Sequence, residues 1–415
     1  MVITAIGIGT RGDVQPYAEL AKELIKRDHQ VRIATYEDFK TMVEQSGAQY
    51  CHLDGDAAHL TQYLVTEFVK ASDFMTGYEK LYKYTPAIVD QIADAVKGSD
   101  LVLYGTCALA ARSASDLYGI PCCRVYYSPY DATDLYSLYT ESENPLIIRA
   151  HYAVQEPGMN ILTMKLFNKW RKKHGLKKWT LFDDYRKQNG KKVQTFYPVS
   201  PLLMPPDPKW GSHIHVTGYW YHPDEYGDFS PSEKLQSFLH EGEKPLFFGF
   251  GKAESEDMRE LQRRCLQAVS ELGVRTVFQG NCVSETDIAN AGKNVFMLSE
   301  NVPYGWLFPQ IKAVVHHGGN STNGLGLASG CPTLVIALAF DQWFYGRRVN
   351  QLGLGPKPFY VRKTIPDVFE IKGRIEDLLS GKYDANVISM ADMLRSEDGC
   401  KTAADIIEKN FDFHT

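Results

Sequence analysis

The chain has 415 residues, 44% of them hydrophobic and 23% charged, with a formal net charge of -5. That length exceeds what one small core can use, so two domains are expected. The weak acidic balance gives no reason to expect a nucleic-acid partner and leaves small molecules as the expected ones.

Eight cysteines (Cys51, Cys107, Cys122, Cys123, Cys265, Cys282, Cys331, Cys400) lie scattered, with no Cys-x-x-Cys pair and no metal-ligand spacing. Reduced thiols in a cytoplasmic protein fit that pattern, and disulfides are not expected. The opening VITAIGIG reads as a first strand rather than a signal peptide, because a charged n-region and a cleavage site are missing. No apolar run reaches the roughly 18–20 residues of a spanning helix, so any membrane contact is expected to be peripheral.

In chain order, Val2–Ile8 reads as a strand, Val14–Arg27 as a helix with Val14, Tyr17, Leu20, Ala21, Leu24 and Ile25 at helical spacing, and Gln30–Thr35 as a second strand. Asp100–Tyr104 (strand), Cys107–Tyr118 (helix) and Pro121–Tyr126 (strand) continue a parallel sheet. From Pro198 to Asp224 the texture changes to Pro, Gly and aromatics, which reads as a linker. Lys244–Phe250, Arg275–Gln279, Lys312–His316 and Thr333–Leu338 read as strands, Ser255–Leu272 as a helix, and Val387–Phe411 is helical in pattern. The expected division is a domain at 1–200, a linker at 201–225, a domain at 226–395, and a helix at 396–415 returning toward the first domain. The expected fold class is α/β, two Rossmann-like domains facing a central cleft, with ligands at the carboxyl ends of the strands.

Ala313 to Gly330, AVVHHGGNSTNGLGLASG, reads as a strand, a Gly-rich polar loop and a helix start. Such a loop gathers backbone N–H groups around an anion, and a diphosphate fits there. His316, Asn320, Ser321 and Thr322 add side-chain donors. Asp341 and Gln342 follow the next strand to the same sheet edge, where a carboxylate and an amide suit sugar hydroxyls. In the first loop, Gly7 to Pro16, glycines allow a tight turn, and Asp13 has two readings: an N-cap residue, or a base for a hydroxyl.

The motifs GTRGDVQP (Gly9 to Pro16), WLFPQIKAVVHHGG (Trp306 to Gly319), the Gly330–Pro332 turn, DQWFYGRRV (Asp341 to Val349) and LRSEDG (Leu394 to Gly399) together resemble the UDP-glycosyltransferase superfamily with the two-domain GT-B fold. Within it, the chain is most like the catalytic region of sterol glucosyltransferases, over nearly its whole length. The resemblance implies an N-terminal acceptor-binding domain, a C-terminal nucleotide-sugar domain, and inverting transfer of glucose from UDP-glucose to an apolar hydroxylated acceptor such as a sterol, terpenoid or phenol.

By the same resemblance Asp13 takes the acceptor's proton. As an ordinary aspartate, with a pKa of about 3.9, it would act late, when that proton has become acidic in the transition state. Gly12, His316, Gly318, Gly319, Asn320, Ser321 and Thr322 bind the donor diphosphate, and Asp341 and Gln342 the sugar. Asn301, Val302 and Pro303 bind the uracil, mainly through backbone groups, and Tyr130, Asp131 and Thr133 belong to an acceptor loop. No cofactor and no metal are implied, because the helix N-terminus and His316 supply the neutralisation. His317, one residue along the strand, would point to the opposite face and pack away. Trp306–Pro309 reads as packing under the nucleotide loop.

Departures from the family pattern fall at Lys252 (usually Ser), Tyr304-Gly305 (usually His-Asp), the Pro129–Thr133 loop (usually PWTRT), Ala337 (usually Pro) and Phe340 (usually Gly). Lys252 either reaches the diphosphate or stays solvated. The variable stretches Asp54–Pro86 and Ser128–Trp179 are expected to build the acceptor pocket. Lys165–Trp179 carries seven Lys/Arg and no acid; it reads as a solvated helix face with Leu166, Phe167 and Trp170 turned inward, and alternatively as a membrane-docking helix. Two other functions stay open: the same fold using another nucleotide sugar on a secondary metabolite, and a catalytically silent nucleotide-sugar-binding protein.

Overall fold

The strand and helix runs of both halves become parallel sheets in a computed structural model, which describes residues 1–56, 77, 79–83, 87–138, 142–221, 229–251, 255–338, 341–361 and 364–411. Lys252, Phe340, most of the 54–86 stretch and part of the 201–225 stretch lie outside the described residues.

The first half contains β1 (Val2–Ile6), α1 (Arg11–Lys26), β2 (Gln30–Thr35), α2 (Lys40–Gln45), β3 (Gln49–His52), α3 (Ile88–Val96), β4 (Leu101–Tyr104), α4 (Ala110–Tyr118), β5 (Cys122–Val125), α5 (Pro145–Lys173), a short hairpin β6 (Lys187–Gln188) and β7 (Lys191–Lys192), β8 (Gln194–Tyr197) and β9 (Ile214–Val216). Apart from the hairpin its strands form one parallel sheet in the order β3-β2-β1-β4-β5-β8-β9. The central strands β4 and β5 are buried along their whole length. Helices cover both faces of such a sheet, which is why its strands read as near-continuous apolar runs.

The second half contains α6 (Glu233–His240), β10 (Leu246–Gly249), α7 (Glu256–Leu272), β11 (Thr276–Gln279), α8 (Glu285–Ala291), β12 (Val295–Met297), α9 (Tyr304–Leu307), β13 (Ala313–His316), α10 (Asn320–Ala328), β14 (Thr333–Ala337), α11 (Asp341–Gln351), β15 (Phe359–Tyr360), α12 (Val368–Leu379), α13 (Asp384–Arg395) and α14 (Gly399–Phe411). Its sheet runs β12-β11-β10-β13-β14-β15. Counted within each sheet, both orders read 3-2-1-4-5, the doubly wound arrangement whose topological switch point lies between strands one and four. The C-terminal ends of β1 and β13 therefore lead to the places where such sheets bind ligands.

The chain resolves into two units, Met1–Tyr221 with Asp398–Thr415, and His222–Glu397. Helix α14 belongs to the first unit: Arg27 pairs with Asp405 at 2.6 Å and Glu408 at 2.8 Å, while Ala403, Ala404 and Ile407 are buried in its core.

Three elements differ from the sequence reading. Part of the stretch read as a linker is structured, because β9 adds to the first sheet and Trp220 is buried with its Nε1–H donated to Thr217 at 2.9 Å. The helical pattern over Val387–Phe411 is two helices, α13 and α14, separated at Ser396–Asp398. Helix α5, 29 residues long, gave no amphipathic signal, since it buries Ile148, Tyr152, Met159, Leu162 and Phe167 while Ile147, Val154 and Ile161 stay exposed. Its start was written locally, with Pro145 at the first helical position and Asn144 accepting the Leu146 N–H at 2.9 Å.

Candidate functional site

After β1 the chain turns through Gly7–Thr10 into α1. Thr10 is the N-cap, so Asp13 occupies the third helical position rather than the cap. Its Oδ2 accepts the Thr10 N–H at 2.8 Å and the Thr10 Oγ1–H at 3.1 Å. The N-cap reading of Asp13 is thus corrected to a capping-box partner, and the Thr-x-x-Asp spacing of GTRGD was its unread signal. A Cβ at Gly9 would lie 2.1 Å from Asp13 Oδ2, so the carboxylate needs glycine there.

Asp13 is half-buried, and burial pushes its pKa up to about 6; the Thr10 hydrogen bonds oppose that rise and lose. The weak base expected from an ordinary aspartate is therefore one that titrates close to neutral pH. Nearby, the Tyr127 hydroxyl lies 3.5 Å from the Asp13 carbonyl oxygen, and the Tyr17 hydroxyl is buried with no hydrogen-bond partner among the described residues. Gly12 is exposed in the first turn of α1.

In the second unit His316 ends β13, fully buried between its strand partners Gly249 and Val335. Its Nδ1 accepts the Gly318 N–H at 2.9 Å, which puts the ring proton on Nε2, and the buried Asn323 side chain lies beside the ring. Burial, then the neighbouring His317, hold the His316 pKa well below its usual value. His316 therefore offers a neutral N–H donor rather than a positive charge. His317 is half-buried, its Nδ1 closed off from solvent and its ring perpendicular to that of His316 at 6.0 Å between centroids. A Cβ on Gly319 would come within 2.7 Å of His317 Nε2, so this ring lies against the loop. Strand alternation ends with β13 at His316, and the turn that follows sets the direction of His317.

Gly318 has φ +95, and a Cβ there would lie 2.7 Å from Val335 and 3.1 Å from Gln342 Cβ. Glycine thus lets the start of α11 close against the loop, bringing Gln342 beside Gly318. Asn320, Ser321 and Thr322 form the first turn of α10, which has Gly319 at its N-cap, no side-chain cap and no acidic residue. An uncapped helix start carries partial positive charge. Asn320 Oδ1 accepts the Tyr345 hydroxyl at 2.5 Å, and Gln342 Oε1 accepts the Leu338 N–H at 2.7 Å, so both amides are held by their carbonyl oxygens. Tyr345 was missed in the sequence, which holds no local sign that its hydroxyl reaches Asn320.

Asn301 is exposed, Val302 is buried in the core of the second unit, and Pro303 is the N-cap of α9. Tyr304 stacks on Phe308 at 4.6 Å and donates to Gln279 at 2.5 Å, while Trp306 meets Phe229 edge-on at 5.2 Å as packing.

Two of the three residues expected in the acceptor loop have buried side chains held within the first unit. Asp131 is buried, paired with the fully buried Arg124 at 2.6 Å, and accepts the Tyr197 hydroxyl at 2.7 Å. Thr133 is buried and donates to Asp207. Both serve the fold, because a buried guanidinium requires a carboxylate partner. Tyr130 is half-buried, its ring 4.7 Å from Tyr126.

Two parallel sheets of 3-2-1-4-5 order, each with a Gly-rich loop at its switch point, give the two-unit α/β arrangement of the GT-B fold. Solved structures agree on the fold: the glycotransferase of kitacinnamycin has a TM-score of 0.71 at 18% identity, covering 99% of each chain. CalG4, the calicheamicin glycosyltransferase, has a TM-score of 0.70 at 18% identity, covering 100% of this chain and 99% of its own. Residues 3–99 match the glycosyltransferase family 28 N-terminal domain, and residues 263–398 match the erythromycin biosynthesis protein CIII-like C-terminal domain.

The chain carries a glycosyltransferase family 28 N-terminal domain. It is 30% identical, over 100% of its length, to a sterol 3-beta-glucosyltransferase of Yarrowia lipolytica, and 28% identical, over 96% of its length, to one of Arabidopsis thaliana. It spans 29% of the Yarrowia protein and 64% of the Arabidopsis protein.

Proposed function

We propose that this chain is an inverting, metal-independent glycosyltransferase that moves glucose from UDP-glucose to the hydroxyl of an apolar acceptor, a sterol first among them. The observation that carries the reading is the uncapped start of α10 with Gln342 against the loop before it, a place for an anion next to a place for a sugar. The similarity to sterol 3-beta-glucosyltransferases over nearly the whole chain supports the sterol.

In this reading the acceptor oxygen attacks the anomeric carbon as its proton passes to Asp13, and the carbon–oxygen bond to the diphosphate breaks. The charge that develops on the leaving UDP meets the α10 N–H groups and the neutral Nε2–H of His316. An α-linked donor yields a β-glucoside. With a pKa of about 6, Asp13 is ionised at neutral pH yet more basic than an ordinary aspartate, which suits general-base work.

The test is a screen of nucleotide sugars against sterols, triterpenoids and phenols, in excess EDTA, read by mass spectrometry. A sterol gaining one hexose from UDP-glucose is the expected product. Products on phenols or triterpenoids alone would move the acceptor class, and a different preferred sugar would move the donor. UDP binding without transfer from any pair would make the chain a nucleotide-sugar-binding protein.

A further inference from the structure

The solvent face of α5 carries Ile147, Val154 and Ile161 at seven-residue spacing, 43%, 74% and 44% exposed. Two helical turns separate successive members, so they lie along one line of the helix. That line continues into Lys165 and Lys172, both exposed.

Beyond the helix the chain doubles back along it. Asn168 donates to the Trp179 carbonyl at 2.9 Å and accepts its N–H at 2.8 Å, Tyr185 N–H reaches Asn160 at 3.4 Å, and Arg186 pairs with Glu156. These contacts run residues 179–186 antiparallel to α5 and set Leu181 and Phe182 level with the turn between Ile161 and Lys165. Leu181 is 60% exposed and Phe182 98%, on a turn in which Asp183 Oδ2 accepts the Thr180 N–H at 2.7 Å and its hydroxyl at 2.8 Å. Lys177 and Lys178 precede that turn, both exposed, and only a 3.9 Å contact links Lys177 to Asp183.

A phenylalanine held almost entirely in water on an ordered turn, in line with an exposed apolar stripe, marks a contact surface. We propose that this face docks on an anionic lipid bilayer, with Leu181 and Phe182 entering the headgroup region and Lys172, Lys177 and Lys178 meeting lipid phosphates. Charge selects the partner. The chain is acidic overall at -5, yet Lys172, Lys177 and Lys178 on this stretch are exposed, while Lys165 and Arg171 are taken up by Glu79 and Asp116. A second copy in a two-fold contact would set these lysines against themselves, whereas an anionic surface attracts each of them.

The docking element is not the 165–179 helix face considered from sequence. There Phe167 and Trp179 are buried and Trp170 donates to Asp90 at 2.6 Å. The contact is superficial, since no helix among the described residues is long and apolar enough to cross a membrane. The inference does not depend on the acceptor or on catalysis.

Co-sedimentation of the full chain with phosphatidylcholine vesicles, with and without phosphatidylserine, tests it. The wild-type chain is expected to bind the serine-containing vesicles and to be released by salt. Leu181→Ser with Phe182→Ser should lower the bound fraction several-fold at an unchanged thermal midpoint, because both side chains are already in water. Lys177→Gln with Lys178→Gln should weaken binding by roughly fivefold per lysine on anionic vesicles only. Wild-type protein that ignores anionic vesicles, or a serine double variant that binds like wild type, overturns the proposal. Self-association in sedimentation velocity that the serine variant abolishes would assign the face to a second copy and overturn it too.

Discussion

Two helix starts, one in each unit, handle charge in opposite ways. Helix α1 is capped from within: Asp13 already sits on the Thr10 N–H, so a negative group occupies the positive end of the helix. Helix α10 has no side-chain cap and no acid in its first turn. The same doubly wound architecture thus gives one loop that carries its own anion and one that lacks it, and only the second is suited to a phosphate. The difference explains how a single fold, used twice, divides the labour of base and leaving-group binding in the proposed reaction.

The comparison is broken most directly at Asp13. Asp13→Asn keeps the size and an acceptor oxygen for Thr10 but removes the base. Turnover is expected to fall by about 10²–10⁴-fold, while UDP affinity, measured by calorimetry, stays within error of wild type. A variant with near-normal turnover would strip Asp13 of the role of base.

Asp131→Asn probes a carboxylate of a different kind. It would leave the fully buried Arg124 without its ionic partner, a loss worth about 3–5 kcal/mol in comparable buried pairs. A large fall in the denaturation midpoint is expected with any acceptor, or none, present. A stable protein whose acceptor preference alone has changed would return Asp131 to the acceptor loop.

At the uncapped helix the expected loss is smaller. His316→Ala removes the acceptor that holds the Gly318 N–H and a neutral N–H donor at the strand end, so UDP affinity should fall roughly tenfold, about the worth of one hydrogen bond to a charged group. His317→Ala, removing a half-buried neutral ring, should cost less. If the ranking reverses in calorimetric titrations with UDP, the His317 ring is the one that meets the phosphate.

The fold class was legible because each buried parallel strand is a short apolar run and each crossover helix repeats its apolar residues at helical spacing, as in Val14 to Ile25. The Gly-rich loop before α10 was legible for a similar reason, since its glycines, polar residues and following helix are consecutive in the chain. Long-range pairs were not legible. Arg124 and Asp131 are seven residues apart, yet what buries them is Thr195 and Tyr197 on β8, a neighbour that only the sheet order brings close. Nor can a residue type announce its own pKa. Asp13 reads as an ordinary carboxylate until its surroundings are known.

That raised pKa gives a further predicted effect, and its sign is fixed by linkage. Asp13 titrates near 6 in the folded chain, against 3.8 for an unperturbed aspartate, so the folded state holds a proton that the unfolded state has released between those values. Its contribution to stability is fully present below pH 3.8 and is lost as pH rises through 6. Asp13→Asn carries no such charge. Its thermal midpoint should match wild type near pH 4 and exceed it modestly at pH 7.5, with the gap opening between those values. The same group should give the wild-type kcat/KM an acid limb near pH 6. A midpoint difference that stays flat across the range would mean that solvent reaches Asp13 freely, and the base would then be an ordinary aspartate that acts only late in the transition state.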